Sequence, residues 1–374
     1  MDSAKDQRFC ELERLRSEPV AVVASKLPSP SGDVSTAAAP KSVLMLVENM
    51  SVPRDPRVWQ EAVSLTRAGY RVVVLSPKGS DRDAAPFELR DGIAIHRFPL
   101  RAASAGPRDY VREFGAAFWH IARRAIALDR TYRFDVVHAC NPPDLLLLAA
   151  LPLKLRGARF VFDVHDLVPE LYRTRFGTNG RLLLAGLHAL ERLSFRLADA
   201  VIATNESYRR IAIGRGGAAA EAVFVVRNGP DDDFLRPARR DDALKRGQEH
   251  LIAYVGVMGR QDGADHALRA LGVLRERRDD WHAIFAGDGD ALDDLRRLAD
   301  DLGLTQAVEF TGFVDRESVR TILATADVCL APEPSNPLND VSTMIKIAEY
   351  MSMLRPVVSF DLEESRATAG EAAL

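Results

Sequence analysis

The chain has 374 residues, 47% of them hydrophobic and 28% charged, and a formal net charge of −3, which is ordinary for a soluble globular protein. At about 150 residues per domain, this length predicts two domains. The three cysteines, Cys10, Cys140 and Cys329, lie far apart and form no CxxC pair, so neither a disulfide framework nor a zinc site is indicated.

Localisation and surface charge can be read from the same composition. No apolar run of about 18 residues would span a bilayer, and the start of the chain lacks a signal-peptide core, so we expect a cytoplasmic protein. Residues 41–229 carry 28 Lys and Arg against 19 Asp and Glu, whereas residues 230–374 carry 17 against 28. The basic first half favours an anionic lipid or acceptor, and with it a peripheral position at the inner face of the plasma membrane. The alternative is two unrelated solvated surfaces.

The first part of the chain alternates between strand and helix patterns. Residues 1–40 end in a Pro-, Ser- and Ala-rich stretch and are predicted to be a disordered leader. Buried-strand patterns follow at 42–48, 70–76, 93–99, 135–140, 159–165, 200–205 and 222–229, and helical patterns lie at 58–69, 109–129, 144–155 and 180–197. This βαβ alternation predicts a parallel sheet with right-handed crossovers.

A second alternating series follows a polar hinge at 230–250. Its strands are predicted at 251–257, 281–289, 307–313, 327–332 and 356–362. The predicted fold class is therefore α/β, with two Rossmann-like doubly wound parallel-sheet domains, 41–235 and 236–374, facing across a cleft. Ligands are expected in that cleft, at the carboxyl ends of the strands.

The segment NDVSTMIKIAEYMS at 339–352 is the strongest site candidate in the sequence. Asn339, Asp340 and Ser342 are helix-capping residue types, and the helix start they predict would present free N–H groups to a diphosphate. Lys346 and Glu349 are three residues apart and share a helix face, offering a cation for phosphate and a carboxylate for ribose hydroxyls. The alternative is an ordinary surface Lys–Glu pair.

Two glycine-bearing loops are less specific. The GDGD string at 287–290 resembles a metal-binding pair of aspartates, but we predict a tight polar turn and no metal. The loop VGVMGRQDG at 255–263 lies between a strand and a helix, as phosphate sites often do, although it is not a GxGxxG motif.

The remaining candidates lie in the first half. His165 ends a predicted strand at the edge that opens to the cleft, where a neutral histidine could bond a sugar hydroxyl; a structural histidine is the alternative. The helical stretch 112–128 carries Phe118 and Trp119 beside arginines, and we predict that it packs on the sheet rather than on a membrane. A basic stripe interleaved with aromatics is absent, which argues against nucleic-acid binding.

Taken in order, these segments resemble the family 4 retaining glycosyltransferases, which have the GT-B architecture. The resemblance covers 41–374 and is carried by DPRVWQEAVSLTRAGYRVVVLSPKG, FDVVHACNPPD, VFDVHDLVPELY, VVRNGPDDDFLRP, LIAYVGVMGRQDGADHALRAL, AIFAGDGD, VEFTGFV and STMIKIAEYMS. It implies a nucleotide diphosphate sugar as co-substrate in the second lobe and a glycan or lipid-linked acceptor on the first, in cell-surface glycan or glycolipid synthesis.

The resemblance also implies roles for individual residues. Glu349 matches the carboxylate that binds the ribose, His165 matches the histidine beside the donor sugar, and Lys346 is expected to stabilise the leaving diphosphate. The expected catalytic residues are therefore His165, Lys346 and Glu349. The expected donor-binding residues are Gly256, Arg260, Phe313, Val314, Asp340, Ser342, Thr343 and Met344, and the acceptor-side residues are Asn49, Arg54, Asp55 and Arg57.

The sequence departs from the family pattern at three positions. Val257 and Asp262 stand where the family commonly has Arg and Lys, so Lys346 and Arg260 are the expected replacements. Val341 stands where the first of two paired glutamates would be, and Asp340 is the nearest carboxylate. The chain is also expected to lack the family's final crossover helix.

Three functions follow from these observations. The leading hypothesis is a retaining glycosyltransferase that needs no metal or other cofactor. A catalytically degenerate nucleotide-sugar-binding protein is the second, motivated by the departures. A nucleotide-sugar 2-epimerase of the same fold is the third.

Overall fold

The computed structural model describes residues 40–79, 83–100, 107–177, 180–230 and 233–372, without the side chains of 107–114 and 175–176. Apart from Pro40, the predicted leader at 1–40 lies outside these residues, so its disorder stays a prediction. Residues 40–374 form one compact unit.

The first lobe is built on eight strands and six helices within the described residues. The strands are β1 (Ser42–Leu46), β2 (Arg71–Pro77), β3 (Phe87–Arg90), β4 (Ile93–Phe98), β5 (Val136–Cys140), β6 (Arg159–Val164), β7 (Ala200–Ala203) and β8 (Val223–Val225). The helices are α1 (Pro56–Arg67), α2 (Pro107–Tyr132), α3 (Leu146–Leu155), α4 (Val168–Phe176), α5 (Arg181–Leu197) and α6 (Glu206–Gly214).

The first sheet has the order β3-β4-β2-β1-β5-β6-β7-β8, and every pair is parallel except β3 with β4. Its central strands read as continuous apolar runs because helices cover both faces. In β1, Leu44 and Leu46 pack with the cluster that includes α2 and α3, while Val43 and Met45 pack with α1 on the other face. The first sheet therefore has a hydrophobic core on each of its two faces, as the predicted doubly wound fold requires.

The second lobe contains five strands and five helices within the described residues. They are β9 (His250–Val255), α7 (Ala264–Arg275), β10 (Trp281–Ala286), α8 (Leu292–Asp301), β11 (Val308–Gly312), α9 (Arg316–Thr325), β12 (Val328–Ala331), α10 (Ile345–Ser352), β13 (Val357–Ser359) and α11 (Glu363–Ala369). The sheet order is β11-β10-β9-β12-β13, all parallel. The predicted fold class of two parallel-sheet α/β domains is confirmed. The boundary at 235 stays a prediction; it falls between β8 and β9.

The structure corrects several details of the sequence prediction. Of the strand expected at 222–229, only the three residues of β8 form a strand. The sequence analysis does not predict the short edge strand β3 or the helices α4, α6 and α11. The helix expected from 342 starts instead at Ile345, after a 3₁₀ turn at Asn339–Val341. None of the helices in the described part of the chain has the length and apolar character needed to cross a bilayer.

Helix α2 packs on the sheet, as the prediction for 112–128 expected. Ala117, Ile121 and Ala125 are fully buried in the core, and Phe118 packs against it. Trp119 points away from this face and is 59% exposed.

Candidate active site

In each sheet the strand order reverses at one point, because the strands on one side of it were added in one direction across the sheet and those on the other side in the opposite direction. In the first sheet this point lies between β1 and β5, and in the second it lies between β9 and β12. Open α/β sheets bind ligands in the crevice that forms at the carboxyl ends of the strands at such a point. The loops that follow these four strands are therefore the place to look for a site.

The predicted acceptor-side residues lie in the loop after β1 and in the first turn of α1, and they have different roles. Asn49 and Arg54 are exposed to solvent. Asp55 is buried and caps α1, because its Oδ1 accepts a hydrogen bond from Val58 N–H at 3.1 Å. Asp55 therefore holds the start of α1.

Arg57 is the centre of a buried polar cluster. Its guanidinium donates to Asp163 Oδ1 at 2.6 Å, to Asn228 Oδ1 at 2.6 Å and to Glu61 Oε1 at 3.1 Å. Asp163 is fully buried in β6, and its other oxygen accepts from His165 Nε2 at 2.8 Å and from His138 Nε2 at 3.2 Å. The cluster thus ties α1, β5 and β6 to the segment after β8.

The predicted His165 lies inside this cluster, at the carboxyl end of β6. Its backbone N–H donates to the side-chain oxygen of Asn141 at 2.7 Å, which fixes the loop after β5 against the loop after β6. The Asp163 contact engages Nε2, so Nδ1 is the ring atom left for a ligand. The sequence did not indicate Asp163 as the partner of His165.

The charges of the cluster are strongly coupled. Burial alone would lower the pKa of His165, but the Asp163 carboxylate outweighs it and raises that pKa above its usual value. Burial alone would raise the pKa of Asp163, yet His165, His138 and Arg57 hold it well below its usual range. Burial, helped by the Asp163 charge, raises the pKa of Glu61 to about 7. His165 is thus biased toward the charged form rather than the neutral form expected from sequence.

The second lobe places Lys346 in a buried ion pair. The Lys346 ammonium donates to Glu333, which follows β12, and it lies 4.4 Å from the centroid of the Tyr254 ring. A Cβ at Gly256 would come within 2.7 Å of Lys346 Nζ, so glycine permits the ammonium to reach the end of β9. Burial by itself would lower the pKa of Lys346, but Tyr254 and Glu333 raise it above its usual value.

The capping residues predicted before α10 do not cap it. Helix α10 begins after Met344, which makes no side-chain cap. The Ser342 hydroxyl donates to Leu338 O at 2.8 Å, and Asn339 donates to the carbonyls of Gln261 and Pro334, both at 2.9 Å. These side chains are used to hold the 334–342 loop against the loop after β9. Asp340 is half-buried in the same turn.

The same loop is bonded to the first lobe. Asn205 Nδ2 donates to Val341 O at 2.8 Å and to the Thr343 hydroxyl at 3.0 Å, and the Tyr208 hydroxyl lies 3.2 Å from that of Ser342. Asn205 also caps α6. The carboxyl-end loops of the two sheets therefore touch each other.

The other predicted donor-side residues are spread around this point. Glu349 is half-buried, and burial raises its pKa although Arg316 and Lys346 oppose the shift. Phe313 is 71% exposed, and the Arg54 guanidinium lies over its ring. Val314 packs into the core instead. Arg260 is directed to solvent, 3.4 Å from Asp294.

The GDGD string at 287–290 allows the loop after β10 to pack closely against the loop after β9. A Cβ at Gly287 would lie 1.9 Å from Gly256 O, and one at Gly289 would lie 2.4 Å from Met258 O, so the two loops can approach only with glycine. Asp288 Oδ1 accepts from Gly289 N–H at 2.8 Å. Among the described residues, neither Asp288 nor Asp290 belongs to a group of three or more side chains that could share a metal.

Comparisons with known proteins agree with this architecture. Residues 55–229 match the glycosyl transferase 4-like domain and residues 249–374 match the glycosyl transferases group 1 model. The chain is 26% identical over 216 residues to a 2-deoxystreptamine glucosyltransferase of Streptomyces kanamyceticus, covering 55% of this chain and 56% of that protein. It spans about half the length of the curated relatives it matches.

Two solved structures share the fold. Sucrose-phosphate synthase of Thermosynechococcus elongatus superposes with a TM-score of 0.71 at 17% identity, over 89% of this chain and 85% of that one. The HepE protein of Anabaena in complex with UDP-glucose superposes with a TM-score of 0.62 at 18% identity, over 87% and 82%. One segment of the chain therefore matches the glycosyl transferase 4-like domain and a second matches the glycosyl transferases group 1 model, in the two-domain GT-B fold that it shares with these solved structures.

Proposed function

We propose that the protein is a retaining glycosyltransferase that moves a sugar from a nucleoside diphosphate sugar to a glycan or a lipid-linked acceptor. The observation that carries the proposal is the contact between the two carboxyl-end edges, where Asn205 bonds to Val341 and Thr343 and Arg54 covers Phe313. A donor bound at the second edge would thereby lie next to the groups of the first edge. A nucleotide sugar is also what the Anabaena structure holds.

In this reaction the bond between the sugar C1 and the diphosphate oxygen breaks, and a bond from C1 to the acceptor oxygen forms on the same face. The departing diphosphate oxygen takes the acceptor's proton, so the protein needs chiefly to position both partners and stabilise the departing charge. Lys346 and His165 are the proposed groups for that charge, and Glu349 is the proposed ligand of the ribose hydroxyls.

We propose that transfer needs no metal and no other cofactor. Ligand atoms of Glu61, His138, Cys140 and Asp163 lie close enough together to share an ion. Arg57 already donates to both carboxylates of that group, so positive charge is supplied by the chain itself.

One observation favours a second function, that of a nucleotide-sugar-binding protein without turnover. Lys346, the cation proposed for the diphosphate, is paired with Glu333 and close to Asp262, where the family resemblance implies a Lys. Tight binding of a nucleotide sugar without any acceptor-dependent release of the nucleotide would support this alternative.

The first test is calorimetric titration of the full chain with UDP and with GDP. We expect one of them to bind, and we expect Glu349→Ala to abolish that binding. Glu276→Ala removes an exposed glutamate from the same lobe and should leave it unchanged. If neither nucleotide binds to the folded wild-type chain, the proposed function is wrong.

We also propose that the protein works in the cytoplasm at the inner face of the membrane, which it would contact through the exposed face of α2, opposite the face that packs on the sheet. Trp119 is 59% exposed on α2, and the Arg123 guanidinium carbon lies 5.9 Å from the centroid of its ring. Co-sedimentation with anionic vesicles should exceed that with neutral vesicles, and Trp119→Ser should reduce it. Equal sedimentation with both lipids would contradict the proposal.

A further inference from the structure

Glu333 has a carboxylate oxygen that the fold leaves unused. The residue is 1% exposed and stands two positions after the end of β12. One of its oxygens accepts from Lys346, whereas Oε2 is buried with no hydrogen-bond partner among the described residues. A buried polar atom without a partner destabilises the folded state, so such an atom needs an explanation.

The place of this oxygen is informative. Glu333 follows β12 and Gly256 follows β9, the two adjacent strands between which the order of the second sheet reverses. Lys346 Nζ bridges the two positions, since it contacts Glu333 and would lie within 2.7 Å of a Cβ at Gly256. The unpartnered oxygen is therefore held at the crevice where this fold binds ligands.

The chemistry of the surroundings limits what can approach. An ionised carboxylate only accepts hydrogen bonds, and Lys346 already balances its single charge. Asp262, which accepts from Gly259 N–H at 2.9 Å, places a second carboxyl group nearby, on the loop after β9. An ionised phosphate oxygen has no proton to donate to Oε2, whereas a neutral hydroxyl would supply the missing donor.

We propose that Glu333 Oε2 accepts a hydrogen bond from a hydroxyl of the sugar that the donor carries, and that Lys346, besides its proposed role toward the diphosphate, holds this carboxylate in place. The inference rests on the proposed function, because a nucleoside diphosphate sugar is the ligand that brings neutral hydroxyls to this crevice. It separates the sugar contact at Glu333 from the nucleotide contact proposed at Glu349.

The test compares nucleotides with and without a sugar. Calorimetry would measure UDP against UDP-glucose and GDP against GDP-mannose on the wild-type chain, Glu333→Gln, Glu333→Asp and the surface control Glu276→Gln. For whichever pair the wild type binds, both Glu333 variants should lower the affinity for the nucleotide sugar about 10- to 100-fold, as expected for one hydrogen bond to a charged group. The affinity for the bare nucleotide should stay within about twofold in every variant.

Each result has one meaning. Equal losses for the nucleotide and the nucleotide sugar in both variants would show that Glu333 only supports the fold. Unchanged affinity for both would show that Oε2 bonds to water, and either result overturns the inference while leaving the proposed function standing. A folded wild-type chain that binds none of the four ligands would overturn both, and circular dichroism identifies a variant that has lost its fold.

Discussion

The guanidinium carbon of Arg54 lies 5.2 Å from the centroid of the Phe313 ring, and the two residues belong to opposite lobes. Arg54 is in the loop after β1, and Phe313 directly follows β11. A cation above an aromatic face at this distance is attracted by the ring's electron density. The contact therefore links the rims of the two sheets at the outer end of the cleft.

This contact should appear as energetic coupling between the lobes. In a double-mutant cycle of Arg54→Ala and Phe313→Ala, we expect a coupling of about 0.5–1 kcal/mol in the free energy of unfolding, the usual size at an exposed site. Urea denaturation of the four proteins measures it. A parallel cycle of Arg260→Ala with Phe313→Ala should be additive, because Arg260 pairs with Asp294 instead. Additivity in the Arg54 cycle would contradict the contact.

Removing Lys346 should be costly for both stability and turnover. Lys346→Ala leaves the buried carboxylate of Glu333 without its partner, a change worth about 3–5 kcal/mol of unfolding free energy. We also expect turnover of the nucleotide sugar to fall about 10²-fold or more, as for loss of one charge-stabilising donor.

The stability effect has an internal control. Adding Glu333→Gln to Lys346→Ala removes the stranded charge, so the double variant should regain part of the lost unfolding free energy while its turnover stays low. Chemical denaturation and turnover assays on the same samples separate the two effects. A double variant less stable than Lys346→Ala would argue against this ion pair.

Asp144 should make stability depend on pH. Burial raises the pKa of Asp144 from 3.8 to about 7, and one of its oxygens has no hydrogen-bond partner in the part of the chain that the structure describes. The native chain therefore keeps a proton that the unfolded chain loses between about pH 4 and pH 7, so this group's contribution to stability falls as the pH rises through that window.

Asp144→Asn abolishes the titration while keeping the shape of the side chain. As the pH rises from about 5 to about 8, we expect the melting temperature of the variant to fall less than that of the wild type. Glu61, with its pKa near 7, and Asp262, with its pKa near 6, titrate in both proteins and cancel in the comparison. Identical pH dependence in the two proteins would refute the assignment.

Two adjacent glutamates of α11 offer a matched pair for the contact between the lobes. Glu364 is buried and accepts from the Ser207 hydroxyl at 2.7 Å and the Ser207 N–H at 3.2 Å, at the start of α6. Glu363 is exposed and pairs with Arg210 at 2.6 Å. Glu364→Ala should cost about 1–3 kcal/mol of unfolding free energy and Glu363→Ala less than about 1 kcal/mol. Equal costs in thermal or chemical denaturation would be inconsistent with the structure.

Except for the exposed edge strand β3, the strands of both sheets were predictable because buried parallel strands are continuous apolar runs bounded by turn residues. Helices α4, α6 and α11 were not predicted because a helix of seven to nine residues has too few turns for its apolar residues to show a helical period. Asn339 and Ser342 suit helix caps and turns equally, and only distant contacts decide between them.

The candidate site was less predictable than the fold. Lys346 and Glu349 could be singled out because they share one helix face, but the partner of Lys346 is Glu333, on a loop before that helix. Arg57 and Asp163 are 106 positions apart, and no local spacing shows that they meet. An acidic residue inside the apolar strand RFVFDV was the one available signal for a buried ion pair.

The buried cluster around Arg57 also limits which substitutions this sequence can accept as it evolves. Arg57 donates to Glu61, Asp163 and Asn228, which lie on three separate segments, and Asp163 in turn accepts from His165. Loss of either Arg57 or Asp163 alone strands a charge in the interior, and Lys cannot reproduce the fork of guanidinium bonds. Among relatives that have diverged at this site, substitutions at these positions should therefore be correlated rather than independent of one another.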